Sequence, residues 1–91
     1  MKIKYTKSFL NTLEDVFSES EYMLRYEKGS FKSGFCVLKD QKIIIVNKFF
    51  DLVGKVNCLL EIMKSLELDS KSFSEKNRTF YSELQQTELA L

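Results

Sequence analysis

The stretch KIIIVNKFFD, Lys42 to Asp51, sets the terms of the fold. Ile43, Ile44, Ile45 and Val46 stand in a row inside a segment that reads as a β-strand. A strand turns alternate residues to opposite faces, so this one needs cover on both sides. Its C-terminal flank passes straight into a helix, for which Asp51 supplies the cap.

Working backwards, Lys39-Asp40-Gln41 is a tight connection and residues 31–38 form a second strand, with Phe31, Phe35 and Val37 on one side. Lys28-Gly29-Ser30 is a turn. Before it, Tyr22, Leu24 and Tyr26 alternate with Met23, Arg25 and Glu27, again at strand period. Two short links in succession predict a three-stranded antiparallel meander over 22–48, with its third strand at an edge. Further upstream, Phe9, Leu10, Leu13, Val16 and Phe17 recur at helical spacing, which predicts an amphipathic helix over 6–20 capped by Thr6 or Ser8.

Working forwards, Leu52, Val56, Leu59, Leu60 and Met63 make one stripe of a helix over 51–68, and Cys58, Ile62 and Leu66 widen it past half the circumference. Such a helix touches both a sheet and a neighbouring helix. Ser72 and Glu75 carry a capping-box pattern that opens a third helix over 73–88, with Phe73, Phe80, Tyr81 and Leu84 as its apolar stripe. The expected fold class is α+β: a small αβββαα domain, residues 1–91 as one unit, with the meander packed against helices. An apolar edge strand leaves two solutions. Either helices pack on both sheet faces, or a second copy of the chain covers one of them. The second solution makes Ile44, Val46, Phe80 and Leu84 candidate interface residues of a homo-oligomer.

Composition narrows the function classes. The 91 residues can bury roughly 60–65% of their unfolded surface, one modest core. An apolar fraction of 44% with 30% charged residues is that of a globular chain. The net charge of +1 argues against a dedicated nucleic-acid binder. The start MKIKYTKSFL has no apolar core of signal-peptide length and no run reaches membrane length, so a cytosolic protein with reduced Cys36 and Cys58 is expected, away from any membrane.

Candidate chemistry is sparse. Gly29 to Gly34 has the spacing of a phosphate loop, but Phe35 and Cys36 follow where Lys and Ser/Thr belong, and they open a strand. Phe31, Lys32 and Phe35 interleave base and aromatics, yet the aromatics share the apolar side of their strand. The chain has no histidine, so Cys36 has no ordinary general base and two cysteines fall short of a zinc site. No cofactor is expected. Arg25, Ser33, Asn47 and Lys48 form a polar group around the sheet and are the candidate ligand-binding residues. Asn47, at the end of its strand, is also placed to satisfy backbone groups at the junction.

A hairpin, an apolar strand ending in Asn and then a helix resemble the core of ImmA/IrrE-type zinc metallopeptidases, over about residues 31–66. In that family the helix carries H-E-x-x-H. The matching stretch here is Leu60-Glu61-Ile62-Met63-Lys64, which keeps the Glu and replaces both histidines. The resemblance implies a catalytically inactive relative. The chain also resembles small uncharacterised bacterial proteins, which implies no function. The expectation is a non-enzymatic protein-interaction domain that associates with itself and has an unidentified protein partner. The alternatives are a small-molecule or nucleotide sensor, or the inactive metallopeptidase-like fold.

Overall fold

A computed structural model describes residues 1–29 and 34–87. The phosphate-loop-like segment, Phe31, Lys32 and the candidate Ser33 therefore lie outside the described residues, apart from the flanking Gly29 and Gly34. The elements run α1 (Lys7–Glu19), β1 (Met23–Glu27), β2 (Phe35–Leu38), β3 (Ile43–Asn47), α2 (Leu52–Ser65), a short 3-10 turn (Ser70–Ser72) and α3 (Glu75–Gln86). This is the expected α+β order.

The sheet corrects the expected meander. Its strand order is β1-β3-β2, with β1 parallel to β3 and β2 antiparallel to β3. The second link, at 39–42, is a tight hairpin in which Lys42 takes a φ of 57°. The first link does not join neighbours. It carries the chain across two strand spacings, roughly 10 Å, and leaves a slot that β3 fills. β3 is therefore central, not an edge, and hydrogen-bonds on both sides.

Centrality pairs both of its edges, but the helices cover only one of its two apolar faces. Leu24, Ile44 and Val37 lie in one row across the sheet, and Tyr26, Val46 and Phe35 in another. Both rows face the helices. Ile44 and Val46 are fully buried there, and the flanking four pack against the same core. The reverse face carries Met23, Ile43 and Leu38 in one row and Arg25, Ile45 and Cys36 in the next. None of these six joins the core.

The helices form where their stripes predict, with shifted ends. Thr6 caps α1 by accepting from the Phe9 N–H at 3.1 Å, and Phe9, Leu10, Leu13, Val16 and Phe17 are all buried. Asp51 caps α2 by accepting from the Gly54 N–H at 2.8 Å. α2 ends at Ser65, short of 68, because Leu66 is extended. Leu66 and Leu68 are buried while Glu67 and Asp69 are exposed, the alternation of extended chain. Ser74, not Ser72, caps α3, accepting from the Asn77 N–H at 3.3 Å. Phe73 stays outside that helix, buried, with its ring edge-on to Tyr81 at 5.5 Å.

Gly34 and Gly54 hold one ring between them. Gly34 has a φ of 85°, and a Cβ there would lie 2.3 Å from the Phe50 ring. A Cβ on Gly54 would meet the same ring at 2.9 Å.

Candidate functional site

The described members of the expected polar group are each engaged within the chain. The Arg25 Nε lies 3.0 Å from Glu27 Oε2 on the reverse face of the sheet, both side chains about half exposed. Asn47 works at the strand–helix junction. Its Nδ2 donates to the Gly29 carbonyl at 3.3 Å, and its Oδ1 accepts from the Phe49 N–H at 3.0 Å. The Lys48 ammonium sits 5.2 Å from the centre of the exposed Phe49 ring. Asn side chains commonly satisfy backbone groups at element ends in this way.

Of the residues expected at an interface, Ile44, Val46 and Leu84 lie in the core of their own chain. Phe80 is half-buried against Phe9, ring centres 5.6 Å apart. Apolar surface is found elsewhere on the sheet. The reverse face presents Met23, 61% exposed, with half-buried Ile43, Ile45, Leu38 and Cys36 around it. The Arg25–Glu27 pair closes one side of this patch, so its net charge is zero.

In α2, Leu60 and Met63 are buried, Glu61 is exposed, and the Lys64 ammonium donates to the Thr87 carbonyl at 3.0 Å. Burial, with Glu61 adding to it, pushes the Cys58 thiol above its usual range, which makes it a poor nucleophile. Among the described residues no three His, Cys, Asp or Glu side chains cluster as metal ligands, and no helix is long and apolar enough to cross a membrane.

Two features had no signal in the sequence. One is a polar clamp between α1 and α3. Asn77, 1% exposed, donates through Nδ2 to Asp15 Oδ2 at 2.8 Å and Glu19 Oε1 at 3.0 Å, and its Oδ1 has no hydrogen-bond partner. The Ser74 N–H also donates to Glu19 Oε1, at 2.7 Å. The other is a groove of about 560 Å³ between α1 and the outer edge of β1. At its wall the Tyr26 hydroxyl donates to the Glu14 carboxylate. Burial first, then that bond, raises the Tyr26 pKa far above the usual phenol range, so it stays a donor.

Comparison with protein-family models, with curated proteins and with solved structures finds no match to this chain.

Proposed function

We propose that the chain is a cytosolic, non-enzymatic protein-interaction domain that associates with a second copy of itself through the reverse face of its sheet. The observation that carries this reading is the patch of Met23, Ile43, Leu38, Ile45 and Cys36, which lies outside the core. A second copy suits it because the patch is its own complement. It is apolar at the centre, and a two-fold axis would set each Arg25–Glu27 pair against charges of opposite sign. Three strands about 4.8 Å apart and five residues of about 3.4 Å give a footprint of roughly 15 by 17 Å. That is well below the ~800 Å² per partner of a standard interface, so the dimer is weak and transient. The lack of histidine supports the non-enzymatic part.

Sedimentation velocity from about 10 µM to about 500 µM tests it. The expected result is a mass that rises from one chain towards two, and an Ile45→Lys variant that stays monomeric with its thermal melt retained. A mass of one chain across the whole range overturns the reading, as does an Ile45→Lys variant that still dimerises.

A further inference from the structure

Strand β1 is an edge. It pairs with β3 on one side and, among the described residues, with no strand on the other. The Met23 N–H donates to the Lys42 carbonyl at 2.8 Å, and the Glu27 carbonyl accepts from the Lys48 N–H at 3.1 Å. In a parallel ladder the residues that bond a neighbour alternate with those that face away. Leu24 and Tyr26 therefore turn their main-chain N–H and C=O groups outward, two donors and two acceptors. Natural edges are usually blunted by an outward lysine, a proline or a bulge. β1 has no proline, and its Arg25 is held by Glu27 on the reverse face.

The groove beside this edge has an apolar base and an acidic rim. Met23, Leu24 and Tyr26 line it from β1, and Glu14, Ser18, Ser20 and Glu21 from α1 and the link that follows it. No lysine or arginine is among the lining residues. Two cations border it through its aromatic residues: the Lys42 ammonium sits 5.1 Å from the centre of the Tyr22 ring, and the Lys55 ammonium 5.1 Å from that of Tyr26. Both carboxylates are held in place: Glu14 accepts from the Tyr26 hydroxyl, and Glu21 from the Asp69 N–H at 3.2 Å.

We infer that this groove takes an extended segment of another protein with alternating lysine or arginine side chains, which adds to β1 as a fourth strand. Main-chain bonds to Leu24 and Tyr26 supply the register. Residues of one parity point their cations at Glu14 and Glu21, and those of the other parity extend the apolar row of Met23. Nucleic acid is the wrong partner for this rim, since its phosphates would meet carboxylates.

The probe is an acetylated, amidated octapeptide of alternating lysine and valine, titrated at low salt into the full chain labelled with nitrogen-15. Saturable shifts centred on the Leu24 and Tyr26 amides, with new protection from hydrogen exchange there, are expected. Two further peptides, N-methylated on alternate residues in the two possible registers, should differ by at least about tenfold in affinity, because only one register donates to the edge. An alternating glutamate–valine peptide should bind at least about tenfold more weakly, and the Glu14→Gln/Glu21→Gln variant should lose most of that discrimination. The inference is overturned by no saturable shift at about 1 mM peptide, by equal binding of the acidic peptide, by equal binding of both N-methylated peptides, or by shifts centred on Ile43 and Ile45. It is also overturned if Leu24 and Tyr26 are already protected without peptide in a concentration-dependent way, which would assign the edge to a second copy. The Ile45→Lys variant leaves the groove intact, so failure here and failure of the sheet-face dimer are separable.

Discussion

Glu19 and Ser74 are separated by 55 residues and joined by a hydrogen bond of 2.7 Å, from the Ser74 N–H to Glu19 Oε1. The bond fixes the start of α3 against the end of α1. It also holds the Glu19 carboxyl below its ordinary pKa of 4.5, with the Asn77 amide as the second cause. A group whose folded pKa is depressed contributes stability that is present above its unfolded pKa and lost as pH falls through the folded value. Glu19→Gln should therefore melt lower than the parent at neutral pH, with the gap closing as pH drops below about 4.5. Thermal melts across that range check it; a gap independent of pH would assign the effect to packing alone.

Asn77 has a harder position. Its Nδ2 serves two carboxylates while its buried Oδ1 has no hydrogen-bond partner. Bonds to charged acceptors contribute roughly 1.5–3 kcal/mol each, and the orphan acceptor offsets about 1–3 kcal/mol. Asn77→Ala removes all of these terms and should cost about 1–3 kcal/mol. Asn77→Asp should cost more at neutral pH, because a third carboxylate replaces the donor, and should recover part of the loss in acid. Chemical denaturation at two pH values separates the variants.

Gly34 is irreplaceable for two reasons, its backbone and the Phe50 ring. Its φ of 85° disfavours any side chain, and a Cβ would overlap the ring at 2.3 Å. Gly34→Ala should cost about 2–4 kcal/mol, more than a conformational penalty alone. In a Phe50→Ala background the same substitution should cost less, and a double-mutant cycle reads the difference. Equal costs in both backgrounds would remove the ring from the account.

On α2, Leu60 is 3% exposed and its neighbour Glu61 faces solvent. Leu60→Ala should cost about 2–5 kcal/mol. Glu61→Ala should stay within about 0.5 kcal/mol. Urea midpoints of the two variants decide it, and comparable losses would mean that Glu61 has a buried role.

Local patterns in this chain are legible and long-range ones are not. The stripe Phe9–Phe17 and the cap Asp51 are set by neighbours three and four residues away, and both are found as read. The run Ile43–Val46 announces burial on two faces but not which strands provide the flanks. Short links suggested adjacency, but β3 lies between β1 and β2, and only its Ile44 and Val46 face is covered by the core. Leu66 fits a continuing helix in projection, but Leu68 falls beside Glu61 on the polar face, and the alternation of the two leucines with Glu67 and Asp69 marks the extended chain. Asn77 gave no signal because its partners, Asp15 and Glu19, lie 62 and 58 residues away. The groove beside β1 is equally invisible: the meander also leaves β1 at an edge, but the packing of α1 beside that edge has no signature in the sequence.

The slot between β1 and β2 bears on how the chain is made. Synthesis runs from the N-terminus, so a nascent chain that has reached Leu38 holds both flanking strands and no sheet, since neither pairs with the other. The strand that joins them emerges last of the three. Until Asn47 is outside the ribosome, β1 has two open edges in place of one. Both pairings of the sheet therefore wait on a single strand, and the parallel and antiparallel ladders can close only together with its arrival.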